Sequence, residues 1–154
     1  MKISNIKINE IAESAIALAK KAFTTGEVPV AAIIFDDKGQ IIAKAHNLIE
    51  RKKDPTLHAE MLVIKEALYQ TKQKFLDSMN IYITLEPCAM CLQALCFVRI
   101  KTIYFGAYDF KKGGISQSNI LSTSMNNYSP EIYGGIVEEK CSQLMKEFFV
   151  NKRL

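Results

Sequence analysis

A chain of 154 residues, 49% hydrophobic and 23% charged, has the length and make-up of one soluble globular domain with a sizeable core. No apolar run approaches the eighteen or so residues that would cross a bilayer, and Lys2, Lys7 and Glu10 break up the first ten residues, so neither a membrane anchor nor a secretory leader is expected. Four cysteines suit a reducing compartment, the cytoplasm, better than a disulfide framework, and a net charge of +4 permits a polyanionic partner without demanding one.

In chain order, Ile8 to Phe23 reads as an amphipathic helix. Ile8, Ile11, Ala15, Leu18 and Ala22 recur at helical spacing, and Gly26 ends it. Val28 to Phe35 is an apolar, β-branched run and reads as a buried strand. Asp36-Asp37-Lys38-Gly39 turns the chain, and Gln40 to His46 returns as the second strand of an antiparallel hairpin. Asn47 to Pro55 is a polar loop with the basic run Arg51-Lys52-Lys53. Thr56 is the expected N-cap of a helix that reaches about Gln70 and carries His58 and Glu60 in its first turn.

Ile81 to Leu85 reads as a third strand, and Pro87 is expected to open a helix that ends near Val98. Thr102 to Gly106 is a fourth strand. The strand–helix alternation from Asn80 onward implies parallel pairing. Lys111 to Asn127, rich in Gly, Ser and Asn, is expected to hold one short helix around Ile120. Glu131 to Tyr133 is a short last strand. Ile136 to Val150 is a final helix with Val137, Cys141, Leu144, Met145 and Phe148 on one face. With no repeat, low-complexity tract or linker, residues 1–154 are expected to form a single α/β domain.

The chemistry concentrates in two stretches, Leu57-His58-Ala59-Glu60 and Glu86-Pro87-Cys88-Ala89-Met90-Cys91. Cysteines three apart share a helical face, and a helix N-terminus favours thiolate over thiol. Cys88, Cys91 and His58 then supply three ligands for one tetrahedral zinc per chain, with a fourth position open, which is the pattern of a catalytic rather than a structural site. Glu60 is placed to carry protons for a water held there. A lone Cys-x-x-Cys also fits a buried pair, a redox pair or half of a structural site. The isolation of Cys96 and Cys141, both expected in the core, argues against a second zinc half-site, and a redox pair would need neither His58 nor Glu60. His-x-Glu followed by Pro-Cys-x-x-Cys is the signature of zinc-dependent nucleobase deaminases.

From about Ile11 to Arg153 the chain resembles the bacterial tRNA-specific adenosine deaminases, within the cytidine deaminase-like superfamily. The blocks that carry the resemblance are Gly26-Glu27-Val28-Pro29-Val30, Ala45-His46-Asn47, Asp54 to Glu60, Thr84 to Cys91, Phe105 to Asp109 and Glu147-Phe148-Phe149. The resemblance implies a three-layer α/β/α fold with a mixed five-stranded central sheet. It also implies a homodimer that binds the anticodon loop of a tRNA, and hydrolysis of the wobble adenosine to inosine. Under it His58, Cys88 and Cys91 match the zinc ligands, and Glu60 matches the proton shuttle. Asn47 matches a residue that hydrogen-bonds the target base, while Val28 and the backbone from Thr84 to Glu86 wall the pocket.

Further substrate contacts are expected of Asp109 and of Phe149, the latter stacking on a loop base. Arg51, Lys52, Lys53, Lys111 and Lys152 are candidates for phosphate contacts. Phe148 and His46 are expected to pack rather than bind, with Tyr108 a candidate contact. Met90, Leu92, Leu95 and Phe97 make the helix after Pro87 apolar on more than one side, consistent with a dimer. Two rival readings share the zinc motif: a deaminase of a free nucleobase or nucleoside such as cytosine, cytidine or guanine, and a non-catalytic RNA-binding module with a structural zinc. An intact Glu60 argues against the second.

Overall fold

Three stretches of this chain are buried along nearly their whole length, and they form the centre of a sheet covered on both faces. In a computed structural model describing residues 2–117 and 128–152 they are β1 (Ala31–Phe35), β3 (Asn80–Leu85) and β4 (Thr102–Ala107). Strands β2 (Ile41–His46) and β5 (Glu131–Tyr133) are the edges, and both keep exposed residues. The order is β2-β1-β3-β4-β5. β1 pairs antiparallel with β2 and with β3, whereas β4 runs parallel to β3 and to β5. Both the expected hairpin and the expected parallel pairing are present.

Alternation along each central strand sorts the core into two layers. Ala32 and Ile34 of β1, Ile81 and Ile83 of β3, and Ile103 and Phe105 of β4 face one way. They meet Ala59, Val63, Ile64 and Ala67 of α3 (Ala59–Thr71) and Leu92 and Leu95 of α4 (Ala89–Phe97). Ala31, Ile33, Phe35, Tyr82 and Tyr104 face the other way. They pack on Ile8, Ile11, Ala12, Ala15 and Ala19 of α1 (Asn5–Thr24) and on Leu144 of α5 (Glu138–Lys152). The result is the expected three-layer α/β/α arrangement around a mixed five-stranded sheet. Gly106 in β4 admits α5: a Cβ there would collide with the Cys141 side chain and lie 2.8 Å from the Thr84 carbonyl oxygen.

Several local expectations are corrected. The loop after Asn47 contains a short helix, α2 (Ile49–Lys52). Thr56 is not the cap of α3, because its N–H and hydroxyl both donate to Asp54 Oδ1, at 2.9 and 2.6 Å. The cap position belongs to His58, in an extended conformation, and the Ala59 N–H is satisfied by Asn47 Oδ1 at 2.8 Å. Likewise Pro87 lies outside α4; Cys88 is the N-cap and Ala89 the first helical residue. α1 begins earlier than its apolar stripe, because Ser4 Oγ accepts from the Lys7 N–H at 3.2 Å. The short helix expected around Ile120 lies outside the described residues.

Candidate metal centre

Two helix N-termini converge where β3 leaves the sheet. His58 is the N-cap of α3 and Cys88 the N-cap of α4, and neither side chain caps its own helix. They turn toward one another instead, with Cys88 Sγ 3.8 Å from His58 Nδ1. Cys91, one turn into α4 and fully buried, joins them, so that the three ligand atoms lie within 4.8 Å of one another. A tetrahedral zinc with bonds of about 2.3 Å to sulfur and about 2.0 Å to nitrogen spaces its ligands roughly 3.5–3.8 Å apart. For a sulfur–nitrogen pair the figure is roughly 3.5 Å, so His58 and Cys88 stand a few tenths of an ångström wider than in a filled site.

The electrostatics suit a cation. A hydrogen bond with Cys91 and then one with His58 hold the Cys88 thiol down at about 4, in the thiolate form. Its partner Cys91 is pushed up, first by that same hydrogen bond and then by burial. The His58 imidazole is raised, chiefly by its contact with Cys88. Both helices also direct the positive ends of their dipoles here. Glu60, the second residue of α3, is 3% exposed, and its Oε1 has no hydrogen-bond partner among the described residues. Burial raises its pKa. An unpartnered buried carboxylate oxygen is costly unless it has work to do. Two sulfurs, one imidazole nitrogen and this carboxylate beside them form a donor set that fits zinc with one position left open.

Asn47 adjoins the centre at the end of β2. It is 5% exposed, its N–H donates to the Val30 carbonyl at 3.1 Å, and its Oδ1 is taken by Ala59. The Nδ2 amide has no partner among the described residues, so a donor held by a fixed carbonyl remains for a ligand. Val28 is half-buried against the core layer that holds α3. His46 is half-buried, and its Nδ1 lies 2.9 Å from the Asn47 carbonyl oxygen, a packing role as expected.

The side chains of Glu86 and Asp109 are engaged elsewhere. Glu86 is 2% exposed, and its carboxylate accepts from the N–H groups of Asp109, Ile115 and Ser116 at 3.1, 3.1 and 2.8 Å and from the Ser116 hydroxyl at 2.7 Å. Asp109 Oδ1 accepts from the N–H groups of Lys111 and Lys112. The Glu86 carboxylate is occupied in building the loop 109–117, and Asp109 Oδ1 shapes the turn within it. Gly113 bridges to Cys88, and the Gly114 N–H donates to the Pro87 carbonyl at 2.8 Å. The loop is thereby fastened to the start of α4. A side chain at Gly113 would run into the Glu86 carboxylate.

Glu27 went unassigned in the sequence. It is 1% exposed and accepts from the N–H groups of Glu50 and Arg51, at 2.9 Å each, which anchors the start of α2. A lone acid in a Gly-Glu-Val-Pro run gives no hint of partners more than twenty residues away. Phe148 is core, in edge contact with Phe23, while Phe149 is 45% exposed.

The sequence profile of the cytidine and deoxycytidylate deaminase zinc-binding region matches residues 6–107. The tRNA-specific adenosine deaminase of Aquifex aeolicus is 48% identical over 136 residues, 88% of this chain and 89% of that protein. The enzyme of the same name from Bacillus subtilis is 42% identical, over 89% of this chain and 85% of that one. A solved structure from studies of A-to-I editing by tRNA:A34 deaminases at the wobble position superposes with a TM-score of 0.81 at 34% identity, covering 86% of this chain and 96% of that one. The guanine deaminase of Nitrosomonas europaea reaches the same TM-score at 17% identity, a likeness of fold alone.

Proposed function

The chain belongs to the cytidine and deoxycytidylate deaminase zinc-binding family, within its tRNA-specific adenosine deaminases, and from that premise we propose that it hydrolyses the wobble adenosine of a tRNA anticodon loop to inosine and ammonia. The observation that carries the deaminase chemistry is the triad His58, Cys88 and Cys91 beside the buried, unpartnered Oε1 of Glu60, and what favours tRNA over a free base is the likeness to tRNA-specific adenosine deaminases. The three ligands would hold one zinc, which supplies a Lewis acid able to make a water nucleophilic near neutral pH.

Glu60 takes the proton from the attacking water and delivers it to the purine ring nitrogen N1. A second transfer through the same carboxylate moves the remaining proton of the oxygen added at C6 to the amine, which leaves as ammonia as the C6 carbonyl forms. Burial suits this role, because a carboxyl with a raised pKa exchanges a proton more readily near neutrality. The Asn47 Nδ2 donates to the target base, its amide held in place through Ala59. Val28 and the backbone around Glu86 wall the base in. Glu86 and Asp109 act as positioning residues through the loop they build. Arg51, Lys52 and Lys53 at α2, Lys111 beside the site, and Phe149 with Lys152 on α5 meet the rest of the anticodon loop. The protein works as a homodimer in the cytoplasm, one deaminase domain per chain.

The test is sequencing of anticodon loops after incubation with the purified protein. Wobble adenosine read as G supports the reading. Ammonia release from free adenosine, cytidine or guanine, with no change in tRNA, overturns it.

A further inference from the structure

An aromatic stack stands beside the zinc centre and has no role in the chemistry above. Phe105, within β4, is 1% exposed. Tyr108 meets it edge to face, with ring centroids 4.9 Å apart and an interplanar angle of 84°. Phe110 lies parallel on Tyr108, at 5.8 Å and 8°. Exposure rises along this series to 39% for Tyr108 and 72% for Phe110. Gly134 leaves the room that Tyr108 occupies, since a Cβ there would lie 2.7 Å from the phenol oxygen.

The stack is fixed relative to the site by the sheet. Leu85 and Ala107 are register partners in the parallel pair β3–β4, and the Glu86 N–H donates to the Ala107 carbonyl at 2.8 Å. Two neighbouring strands are about 4.8 Å apart. Cys88 follows Leu85 by three residues, and Tyr108 follows Ala107 by one. The Glu86 carboxylate then pins the Asp109 and Ser116 amides, and the bridge from Gly113 to Cys88 closes the loop. Exposed Lys111 and Lys112 come directly after Phe110, on the turn shaped by Asp109.

A single exposed aromatic needs no explanation. Here the exposed Phe110 ring lies parallel on Tyr108, which is itself braced edge-on by buried Phe105, next to two cations and on a loop fastened to the start of α4. Hydrophobic docking of another protein would not call for the lysines, whereas a nucleotide offers a π-face and a phosphate together. We propose that Tyr108 and Phe110 form a stacking platform for a nucleotide flanking the target adenosine, with Lys111 and Lys112 meeting its phosphate. This rests on the RNA-editing reading above, and deepens it by naming a second base subsite. Stacking tolerates any base, so the platform sets affinity and loop posture rather than the identity of the neighbour.

The experiment uses two anticodon stem-loops, each with 2-aminopurine in place of the nucleotide 5′ or 3′ of the wobble adenosine. Binding by the parent protein should quench one of the two probes. Phe110→Ala and Phe110→Leu should lose that quenching and raise KM about ten-fold, the scale of one lost base–aromatic stack, with kcat within about two-fold of the parent. Phe110→Trp should keep both. Leucine separates stacking from plain apolar contact. Unchanged quenching and KM in the alanine and leucine variants would overturn the platform while leaving deamination intact. Quenching that depends on Phe110 without any deamination by the parent would support the platform and contradict the deaminase reading.

Discussion

Glu60 combines three properties that a structural acid does not need: burial, an unsatisfied Oε1, and a place two residues after a metal-ligating histidine. Glu60→Ala should therefore keep zinc and fold yet lose activity by about 10²–10⁴-fold, the usual contribution of a general acid–base group. Single-turnover rates, with metal content measured alongside, check this; a variant within ten-fold of the parent would mean another group carries the proton. The cysteines should behave in the opposite way. A Cys88→Ala, Cys91→Ala variant should purify without stoichiometric zinc and melt below the parent, since a metal bound only by the folded state adds to stability. At the far end of β3, Asp37 makes a different test. Hydrogen bonds from Asn80 (3.0 Å) and Lys101 (2.5 Å) lower its carboxyl pKa. A lowered folded-state pKa stabilises above the unfolded value of about 3.9 and is lost as pH falls below it. Urea midpoints should thus separate the parent from Asp37→Asn at pH 6, and the gap should shrink toward pH 2.

At the scale of elements, the loop 109–117 depends on one side chain. Glu86→Ala would strand three backbone N–H groups and a hydroxyl, a loss of about 2 kcal/mol or more in urea unfolding, with faster amide exchange at Ile115 and Ser116. Glu86→Gln, keeping one acceptor, should fall between. This loop also shows where sequence reading stops. β1, β3 and β4 were legible because strands buried on both faces read as continuous apolar runs, and α1 because its stripe has helical period. His58 with Glu60 and Cys88 with Cys91 were legible as two local half-motifs; that the halves meet across 30 residues was legible only through the known zinc-deaminase signature. The work of the Glu86 side chain was not legible, because its partners come 23 to 30 residues later and spacing carries no trace of them. The short α2 escaped for the same reason: its start is held by Glu27, more than twenty residues earlier. Thr56 and Pro87 were misplaced by one or two residues because the cap positions went to the metal ligands. Asn47 satisfies the first amide of α3 from a distance, which frees His58 from capping.

For the whole molecule, two properties follow from what lies on its surface. α4 buries Leu92 and Leu95 within the chain but leaves Met90 38% and Phe97 60% exposed, and light scattering at micromolar concentration should give a species of twice the chain mass. A clean monomer would oppose the dimer. The second property is electrostatic. The net charge of +4 is small for an RNA-binding protein, so attraction must come from where the cations lie rather than from their number. Arg51, Lys52 and Lys53 are exposed on and after α2, whose start Glu27 fixes just past Asn47, and Lys111 and Lys112 are exposed on the loop fastened to α4. Both groups belong to segments tied to the chain at or beside a zinc ligand, α2 through the Leu48 N–H to the Leu57 carbonyl and the loop through Gly113 to Cys88. A loop entering with its target base would bring phosphates to both. Binding of an anticodon stem-loop should then weaken as salt rises, by about 0.7 log units per log of salt for each phosphate contacted in a single-stranded segment. Replacing Lys52 and Lys53 together by alanine should flatten that slope by one to two such contacts while leaving kcat at saturating RNA unchanged, because phosphate contacts position the loop without touching the reacting base. An unaltered slope would place the phosphates elsewhere; a fall in kcat at saturation would mean that α2 acts on the base itself.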